Sequence, residues 1–386
     1  MKSGQRSFFF LIALIGGLAI FSSTLSKTPV LPLFAHALNA TPAEIGWIVM
    51  ASTLPGVLIS YPAGALSDYF GKRRLLLASL VVFASAPFLY LLIETPWQLM
   101  AVRFYHGFAT AIFGTVASAA IAERYSADRA AKLSTYSSIT IVGRSIAPFL
   151  GGFLISLASF DAVYIACAIS GVLALGAGTL LSDDDPGPAV KRERPPFWAS
   201  LTSVLRDRGI MLVSGIEAAQ YLVFGAIEAF IALYAASLGI PAWQIGVILG
   251  VQLVSIVFAK PLMGRVSDKV GRKQVIIPGL LVGAASVALL PAAHDFISLS
   301  VLSLLFGIGF ATVTSSTAAL VADLTQNGRY GSSMGVLRTV MDVGQSIGPV
   351  LTGWMIGMAG YGSAFTLLAA ILLAAALLLG LRFKQT

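Results

Sequence analysis

Long apolar runs alternate with short polar connections along the whole chain. A helix needs about 20 predominantly apolar residues to cross the hydrocarbon core of a bilayer. These runs reach that length without the period-two alternation that is typical of membrane strands. The pattern therefore predicts an all-α membrane protein. Twelve transmembrane helices are expected, near residues 8–35, 42–65, 75–94, 97–123, 133–157, 161–182, 209–237, 242–264, 275–293, 296–323, 332–358 and 361–381.

The first apolar run also has features of a secretory signal peptide, because Lys2 and Arg6 precede it. The apolar region of a cleaved signal peptide spans about 7–15 residues, and this run is longer. It also has a counterpart in the second half of the chain, near 209–237. We therefore expect it to be retained as the first span.

Composition and charge agree with a protein whose main solvent is lipid. The chain is 57% hydrophobic and 11% charged, whereas a soluble domain carries about 25% charged residues. All but five of the 25 Lys and Arg residues lie at the N-terminus, in the even-numbered connections or in the C-terminal tail. Because basic connections remain on the cytoplasmic side, both termini are expected there, with the protein in a plasma membrane of the bacterial inner-membrane type. The net charge of +8 thus requires no nucleic-acid partner.

A short basic segment occurs twice in the chain, at residues 64–74 and 264–274, which are 200 residues apart. Each copy separates two apolar runs. A repeat of half the chain is too long for a solenoid unit and indicates that one six-span block was duplicated. We refer to these two segments as the signature loops.

The duplication predicts two pseudo-symmetric six-helix domains, residues 1–182 and 209–386. A cytoplasmic linker is expected at 183–208, because Pro, Gly and charges of both signs are concentrated there. Phe197, Trp198 and the neighbouring basic residues could also anchor this linker at the lipid surface.

The signature loops resemble a motif of the major facilitator superfamily, G-x-x-x-D-x-x-G-[RK]-[RK], and the resemblance extends over essentially the whole chain. The matching residues are Gly64, Asp68, Gly71, Lys72 and Arg73 in the first copy, and Gly264, Asp268, Gly271, Arg272 and Lys273 in the second. The resemblance implies the twelve-helix fold of that family, secondary transport by alternating access, and a cavity lined by spans one and seven.

Other positions also repeat between the halves. Glu123 and Asp323 are 200 residues apart, and the segment from Gly143 to Pro148 recurs at Gly344 to Pro349, 201 residues later. Arg103 followed by Gly107 resembles the R-x-x-x-G element of the family. Gly143, Pro148, Gly151 and Gly152 resemble the G-x-x-x-G-P-x-x-G-G element of antiporter-type exporters, although Ala147 replaces one glycine.

These motifs also have a direct physical interpretation. Gly64 and Gly71 would let backbones approach closely, and Asp68 could accept hydrogen bonds from helix N-terminal amides or a basic neighbour. Such a contact, made in one domain arrangement and lost in the other, would act as a latch at the cytoplasmic side. Alternatively, Asp68 and Arg73 only fix the topology and the loop shape. For Gly143 and Gly151, helix packing is the favoured interpretation.

Ionisable residues inside spans are costly and therefore mark candidate sites. Glu217, Tyr221, Phe224 and Glu228 follow i, i+4, i+7, i+11, with Gln220 at the border, and are expected to line the cavity on one helical face.

Lys27 and Glu228 occupy equivalent positions in the two halves of the chain, to within one residue. They could pair near the outer edge of the membrane, or each side chain could extend separately to the membrane interface.

The remaining charges in the spans are less decisive. Arg144 and Asp342 are expected near the middle of the membrane, where transport sites usually lie. Arg338, however, lies four residues before Asp342 on the same predicted helix and could neutralise its charge. Arg103 is expected to be a structural hydrogen-bonding hub, and Lys260 to extend to the inner edge.

The sequence is therefore expected to encode a proton-coupled exporter of a small organic molecule rather than an enzyme. The nucleotide-binding pattern G-x-x-x-x-G-K-[ST] and the metalloprotease pattern H-E-x-x-H are absent. No cofactor or metal is expected, and a monomer in the lipid bilayer suffices. Protons are the expected coupling ion, and the candidate proton carriers are Glu217, Glu228 and Asp342. Glu217 comes first because the sequence shows no basic partner for it.

One alternative stays open, an importer or facilitator of a polar nutrient or an organic anion, in which Arg103 and Arg144 would bind the substrate.

Overall fold

The computed structural model of the protein describes residues 3–125, 128–181, 206–325 and 330–382. In these ranges the regular elements are helices, as the apolar runs predict. They are α1 (Ser3–Leu25), α2 (Val30–Ala37), α3 (Pro42–Phe70), α4 (Lys72–Tyr90), α5 (Pro96–Arg124), α6 (Arg129–Leu157), α7 (Phe160–Thr179), α8 (Arg208–Ser237), α9 (Ala242–Val270), α10 (Arg272–Leu289), a 3₁₀ turn (Leu290–Ala292), α11 (Phe296–Leu324) and α12 (Tyr330–Arg382).

The number of spans differs from the sequence prediction. Among the described residues, eleven helical segments are long and apolar enough to cross a membrane, whereas the sequence predicted twelve. The predicted spans 332–358 and 361–381 both lie in α12, whose backbone leaves helical geometry at Gly360, with φ 77° and ψ 174°. The kink at Gly360 divides α12 into two helical segments, one on each side of this residue.

The described helices fall into two compact units, one built mainly from α1–α7 and the other mainly from α8–α12. We call them the N-terminal and C-terminal units. The core of the N-terminal unit includes Ile12, Phe83 and Phe113, which have no exposed surface. The predicted boundaries at 182 and 209 remain predictions, because most of the linker 183–208 lies outside the described residues.

Polar side chains in the connections define where several helices begin. The Thr95 side chain accepts a hydrogen bond from Gln98 N, and Gln98 Oε1 accepts one from Thr95 N, so α5 starts with a complete capping box. Asp207 caps α8, and Asp295 caps α11 by accepting from Ile297 N and Ser298 N. These hydrogen bonds, above all the one from Ser298, lower the pKa of Asp295.

The two signature loops contain the same tight turn. Gly71, between α3 and α4, has φ 86°, and Gly271, between α9 and α10, has φ 108°. Residues with a Cβ rarely adopt this left-handed region. Glycine is therefore required at both positions because the chain must turn there from one long helix into the next.

Close helix contacts dominate the packing of α12 against α8 in the C-terminal unit. A Cβ added at Gly344 would stand 2.3 Å from the carbonyl oxygen of Ala218, and one at Gly348 would stand 2.0 Å from that of Leu222. In lipid, where the hydrophobic effect does not drive helices together, such backbone approach at small residues is a main source of association.

Candidate functional site

Ion pairs join the signature loops to the neighbouring helices. In the N-terminal unit Lys72 Nζ lies 2.7 Å from Glu123 Oε2, which connects the first turn of α4 to the last turn of α5. In the C-terminal unit Arg272 Nε lies 2.9 Å from Asp323 Oδ2, and Arg272 also contacts Asp268 four residues earlier. Each loop is thus held to the second helix after it by a charge pair.

The next basic residue of each loop makes a second connection. Arg73 donates to the Thr179 carbonyl at the end of α7, at 3.1 Å, and Lys273 donates to the Gly380 carbonyl near the end of α12, at 2.9 Å. A cation at a helix C-terminus interacts favourably with the unpaired carbonyls and the helix dipole. Both signature loops therefore tie together three helix ends of their own unit.

Part of the latch hypothesis lies outside the described residues, because the placement of Gly64 and the Asp68 side chain is not described. At Gly264, the counterpart of Gly64, no atom lies within 4 Å of the position of an added Cβ. Close backbone approach is therefore not the reason for glycine at Gly264. The latch role of Asp68 stays a prediction.

A buried carboxyl group lies in the C-terminal unit. Glu217 on α8 is 3% exposed and is hydrogen-bonded to the hydroxyl of Thr317 on α11. The same Thr317 hydroxyl is 2.9 Å from the Val313 carbonyl oxygen, one turn earlier on α11. Sequence reasoning selected Glu217 but missed Thr317, because a threonine in an apolar run has no distinguishing signal.

Two buried polar side chains lie one turn before and one turn after Glu217 on α8 and have no hydrogen-bond partner among the described residues. They are Ser214, through its hydroxyl, and Gln220, through both amide atoms. Both side chains are fully buried. Because unpaired buried polar groups are costly, each of them needs a further partner.

The positive charge of Lys260 on α9 acts electrostatically on Glu217, which the sequence did not indicate. The two residues are 43 positions apart on different helices, and hydropathy along the chain contains no information about which helix faces pack together.

The aromatic residues next to Glu217 pack on α11. The ring centroids of Phe224 and Phe310 are 4.4 Å apart, and those of Tyr221 and Phe310 are 5.0 Å apart. Phe224 is 8% exposed and Gln220 is fully buried, so this part of the predicted cavity face is buried against α11 in this structure. Phe310 was not predicted, because an isolated phenylalanine in an apolar run has no distinguishing signal.

The other charged residues that the sequence singled out are less buried than Glu217. Glu228 and Asp342 are half-buried, whereas Arg144 is exposed on α6. Arg338 acts electrostatically on Asp342, as their spacing of four residues suggests. Lys27 lies between α1 and α2, in the other unit from Glu228, and the pairing of these two residues stays a prediction.

The N-terminal unit contains a buried hydrogen-bonded network around Arg103, as expected of a structural hub. Arg103 is 3% exposed and donates to the Ser26 carbonyl and hydroxyl, at 3.4 and 3.2 Å, and to the Tyr90 hydroxyl at 3.0 Å. The Tyr90 hydroxyl also lies 3.1 Å from His106 Nδ1, and the Tyr164 ring stacks on Tyr90 with centroids 4.5 Å apart. Sequence reasoning found Arg103 but not its aromatic partners.

The predicted glycine motif of span five packs α6 onto α1 and α2. A Cβ at Gly143 would stand 3.1 Å from the Gly17 carbonyl oxygen, and one at Gly151 would stand 3.1 Å from the Val30 side chain. Gly143 and its contact Gly17 are each 201 residues before Gly344 and its contact Ala218. Pro148, between the two glycines of α6, is buried. The two units thus repeat this packing contact.

Comparison with known families agrees with this internal repeat. The family model described as Major Facilitator Superfamily matches residues 9–251 and 213–386, and together the two matches cover nearly the whole chain. The chain belongs to the Major Facilitator Superfamily. Because the family and the relatives found are transporters, the protein is a multi-span membrane transporter and not an enzyme.

Several curated relatives of this superfamily are similar over most of their length. An uncharacterised MFS-type transporter of Methanocaldococcus jannaschii is 23% identical over 87% of this chain and 88% of its own. The multidrug transporter MdfA of Escherichia coli O6:H1 is 23% identical over 100% of this chain and 96% of its own. The staphyloferrin B transporter of Staphylococcus aureus is 26% identical over 90% of this chain and 86% of its own.

Solved structures of other transporters have the same fold. The nucleoside transporter NupG, as its D323A mutant, superposes with a TM-score of 0.85 at 13% identity, over 98% of this chain and all of that chain. A bacterial homologue of the lysosomal transporter Spinster superposes with a TM-score of 0.79 at 15% identity, over 98% and 95% of the two chains. At these identities the likeness establishes the fold alone.

Proposed function

We propose that this transporter exports a small organic molecule in exchange for protons, by alternating access, and that Glu217 is the group that carries the proton. One observation supports this most directly: Glu217 is almost fully buried in a spanning helix and is hydrogen-bonded to the neutral hydroxyl of Thr317. An ionised carboxylate within a span costs about 2.5–3.5 kcal/mol on insertion scales, and burial favours its neutral, protonated form.

Two features support export rather than import. The relatives include proteins named multidrug transporter, and α6 contains the antiporter-like glycine element from Gly143 to Gly152. The alternative of an importer or facilitator of an organic anion relied on Arg103 and Arg144. Arg103, however, is buried and donates to Ser26 and Tyr90, so it is not available to a substrate in this arrangement.

The twelve-span topology belongs to the same proposal. A continuous helix of 53 residues, the length of α12, would extend about 80 Å. The hydrocarbon core is only about 30 Å thick. We therefore assign two crossings to α12, which meet at Gly360. With twelve crossings, both termini lie on the same side of the membrane, and the distribution of basic residues supports the cytoplasmic side of a bacterial inner membrane.

Transport in everted membrane vesicles tests this proposal, with ethidium as a fluorescent organic cation. Wild-type vesicles should accumulate ethidium when a proton gradient is imposed and should lose this ability when nigericin collapses the gradient. Glu217→Gln should abolish gradient-driven accumulation but retain downhill ethidium exchange, because the neutral amide keeps the size of the side chain and cannot carry a proton.

Asp342→Asn is the matched control, since Asp342 is a half-buried carboxyl in the same unit with Arg338 beside it. It should keep most of the accumulation. Accumulation by Glu217→Gln at the wild-type level would exclude Glu217 as the coupling group. Wild-type vesicles that do not accumulate ethidium would contradict the proposed proton-driven export.

A further inference from the structure

The hydroxyl of Thr317 contacts two acceptors but has one proton. It lies within hydrogen-bonding distance of Glu217 Oε2 and, at 2.9 Å, of the Val313 carbonyl oxygen. A hydroxyl group has a single O–H donor and two lone pairs. Thr317 therefore cannot donate to both oxygens at once, and the protonation state of Glu217 decides which of the two receives the proton.

Two hydrogen-bonded states follow from this geometry. When Glu217 is protonated, its O–H donates to Thr317 Oγ1, and the Thr317 O–H donates to the Val313 carbonyl. When Glu217 is ionised, it has no proton to donate and must accept the Thr317 O–H. The bond from Thr317 to Val313 is then lost. The two states differ in composition only by the proton of Glu217, which is released to form the second state.

We propose that Thr317 is a positioning residue that links the protonation of Glu217 to the shape of α11. This inference rests on the proposed role of Glu217 as the proton carrier. A hydrogen bond from Thr to the carbonyl four residues earlier alters the local bend of a helix. The hydrogen bond to Val313 exists only while Glu217 is protonated. Loss of the proton therefore removes this bond and changes the local bend of α11.

The surroundings of Glu217 make Thr317 the direct hydrogen-bonding partner of this carboxyl. From α9, the charge of Lys260 acts on it. From α12, Gly344 packs beside Ala218, and two charged residues of that helix, Arg338 and Asp342, act on each other. On its own helix, Tyr221 lies four and Glu228 eleven residues further along.

α11 itself offers a matched comparison. Thr314 lies one turn before Thr317 on the same helix, is 1% exposed, and its hydroxyl has no hydrogen-bond partner among the described residues. Removing the Thr314 hydroxyl should therefore disturb packing to a similar extent without changing the Glu217 contact. The acidic residue of α11, Asp323, is near its end and is paired with Arg272.

The test is an infrared titration of the purified full-length protein, which requires no substrate. The protonated carboxyl band that disappears in Glu217→Gln identifies Glu217, and its loss with rising pH gives the titration midpoint. Thr317→Val removes the hydroxyl that donates to the ionised carboxylate and should move the midpoint to higher pH by about one unit, the effect of losing one hydrogen bond to a charged group.

Thr317→Ser keeps a hydroxyl and should restore the wild-type midpoint, whereas Thr314→Val should leave it unchanged. In ethidium transport, the pH profile of Thr317→Val should move in the same direction and by the same amount. A wild-type midpoint in Thr317→Val, or an equal shift in Thr314→Val, would overturn the proposal.

This outcome is separable from failure of the proposed function. If Glu217→Gln transports as wild type, Glu217 is not the coupling group, whatever the titration shows. If Glu217→Gln is inactive while Thr317→Val titrates as wild type, coupling at Glu217 stands and only the role of Thr317 is rejected.

Discussion

Lys72 Nζ lies 2.7 Å from Glu123 Oε2, and this ion pair has an equivalent 200 residues later. There Arg272 Nε lies 2.9 Å from Asp323 Oδ2. The contact between the start of one helix and the end of the next is kept in both units, although Arg replaces Lys and Asp replaces Glu. Each unit therefore fixes its signature loop in the same way.

Charge reversal in the first pair tests this cross-link. Lys72→Glu should lower the free energy of unfolding by no more than about 1 kcal/mol, because exposed and partly exposed pairs contribute little. The double variant with Glu123→Lys should recover most of that loss, as measured by thermal unfolding in detergent. Arg74→Glu, at an exposed neighbour, controls for the altered loop charge. Strictly additive losses in the double variant would show that the pair has no coupling energy.

The turn glycines give a second prediction. Gly71→Ala and Gly271→Ala should each destabilise their unit by about 1–2 kcal/mol, because an L-residue must adopt a left-handed conformation there. Gly264→Ala is the matched control in the second signature loop, since it lies inside α9 and nothing is within 4 Å of the added Cβ. It should be neutral or slightly stabilising. Equal melting temperatures for Gly264→Ala and Gly271→Ala would contradict this account.

Packing of α12 on α8 gives a third prediction. Gly348→Ala should reduce the yield of folded protein more than Gly344→Ala, because the added Cβ atoms would stand 2.0 and 2.3 Å from carbonyl oxygens. Gly143→Ala should be milder, since its Cβ would be 3.1 Å from the Gly17 carbonyl oxygen. Gly357→Ala, on α12 with no neighbour within 4 Å, is the control. Size-exclusion profiles that rank the variants otherwise would argue against this packing.

The buried network of the N-terminal unit gives a fourth prediction. The Tyr90 hydroxyl accepts from Arg103 and also forms a hydrogen bond with His106 Nδ1. Tyr90→Phe removes both bonds and leaves part of a buried guanidinium unsatisfied, which should cost about 2–3 kcal/mol.

Tyr105→Phe is the comparison variant for this network, because it loses one neutral hydrogen bond to Ser85, 2.9 Å long. It should cost about 1 kcal/mol or less. Thermal unfolding in detergent measures both variants. A smaller loss for Tyr90→Phe than for Tyr105→Phe would show that the network does not stabilise the unit.

The sequence by itself determined the membrane class, the position of the apolar segments and the internal repeat. Each span is identified by its own hydropathy, because insertion into lipid depends on the residues of that one segment. The repeat also identified Glu123 and Asp323 as equivalent positions before any contact was known. The sequence located an apolar segment on each side of Gly360, and the structure shows that this one residue separates the two helical segments of α12.

Only the tertiary structure decided which buried side chains meet. Thr317 is 100 residues from Glu217, and Ser26 is 77 residues from Arg103. Apolar helices in lipid have no hydrophobic drive to associate, so their lateral contacts depend on small residues and polar groups of distant segments. Hydropathy along the chain does not contain this information, which is why Glu217 was found from the sequence and its hydrogen-bond partner Thr317 was not.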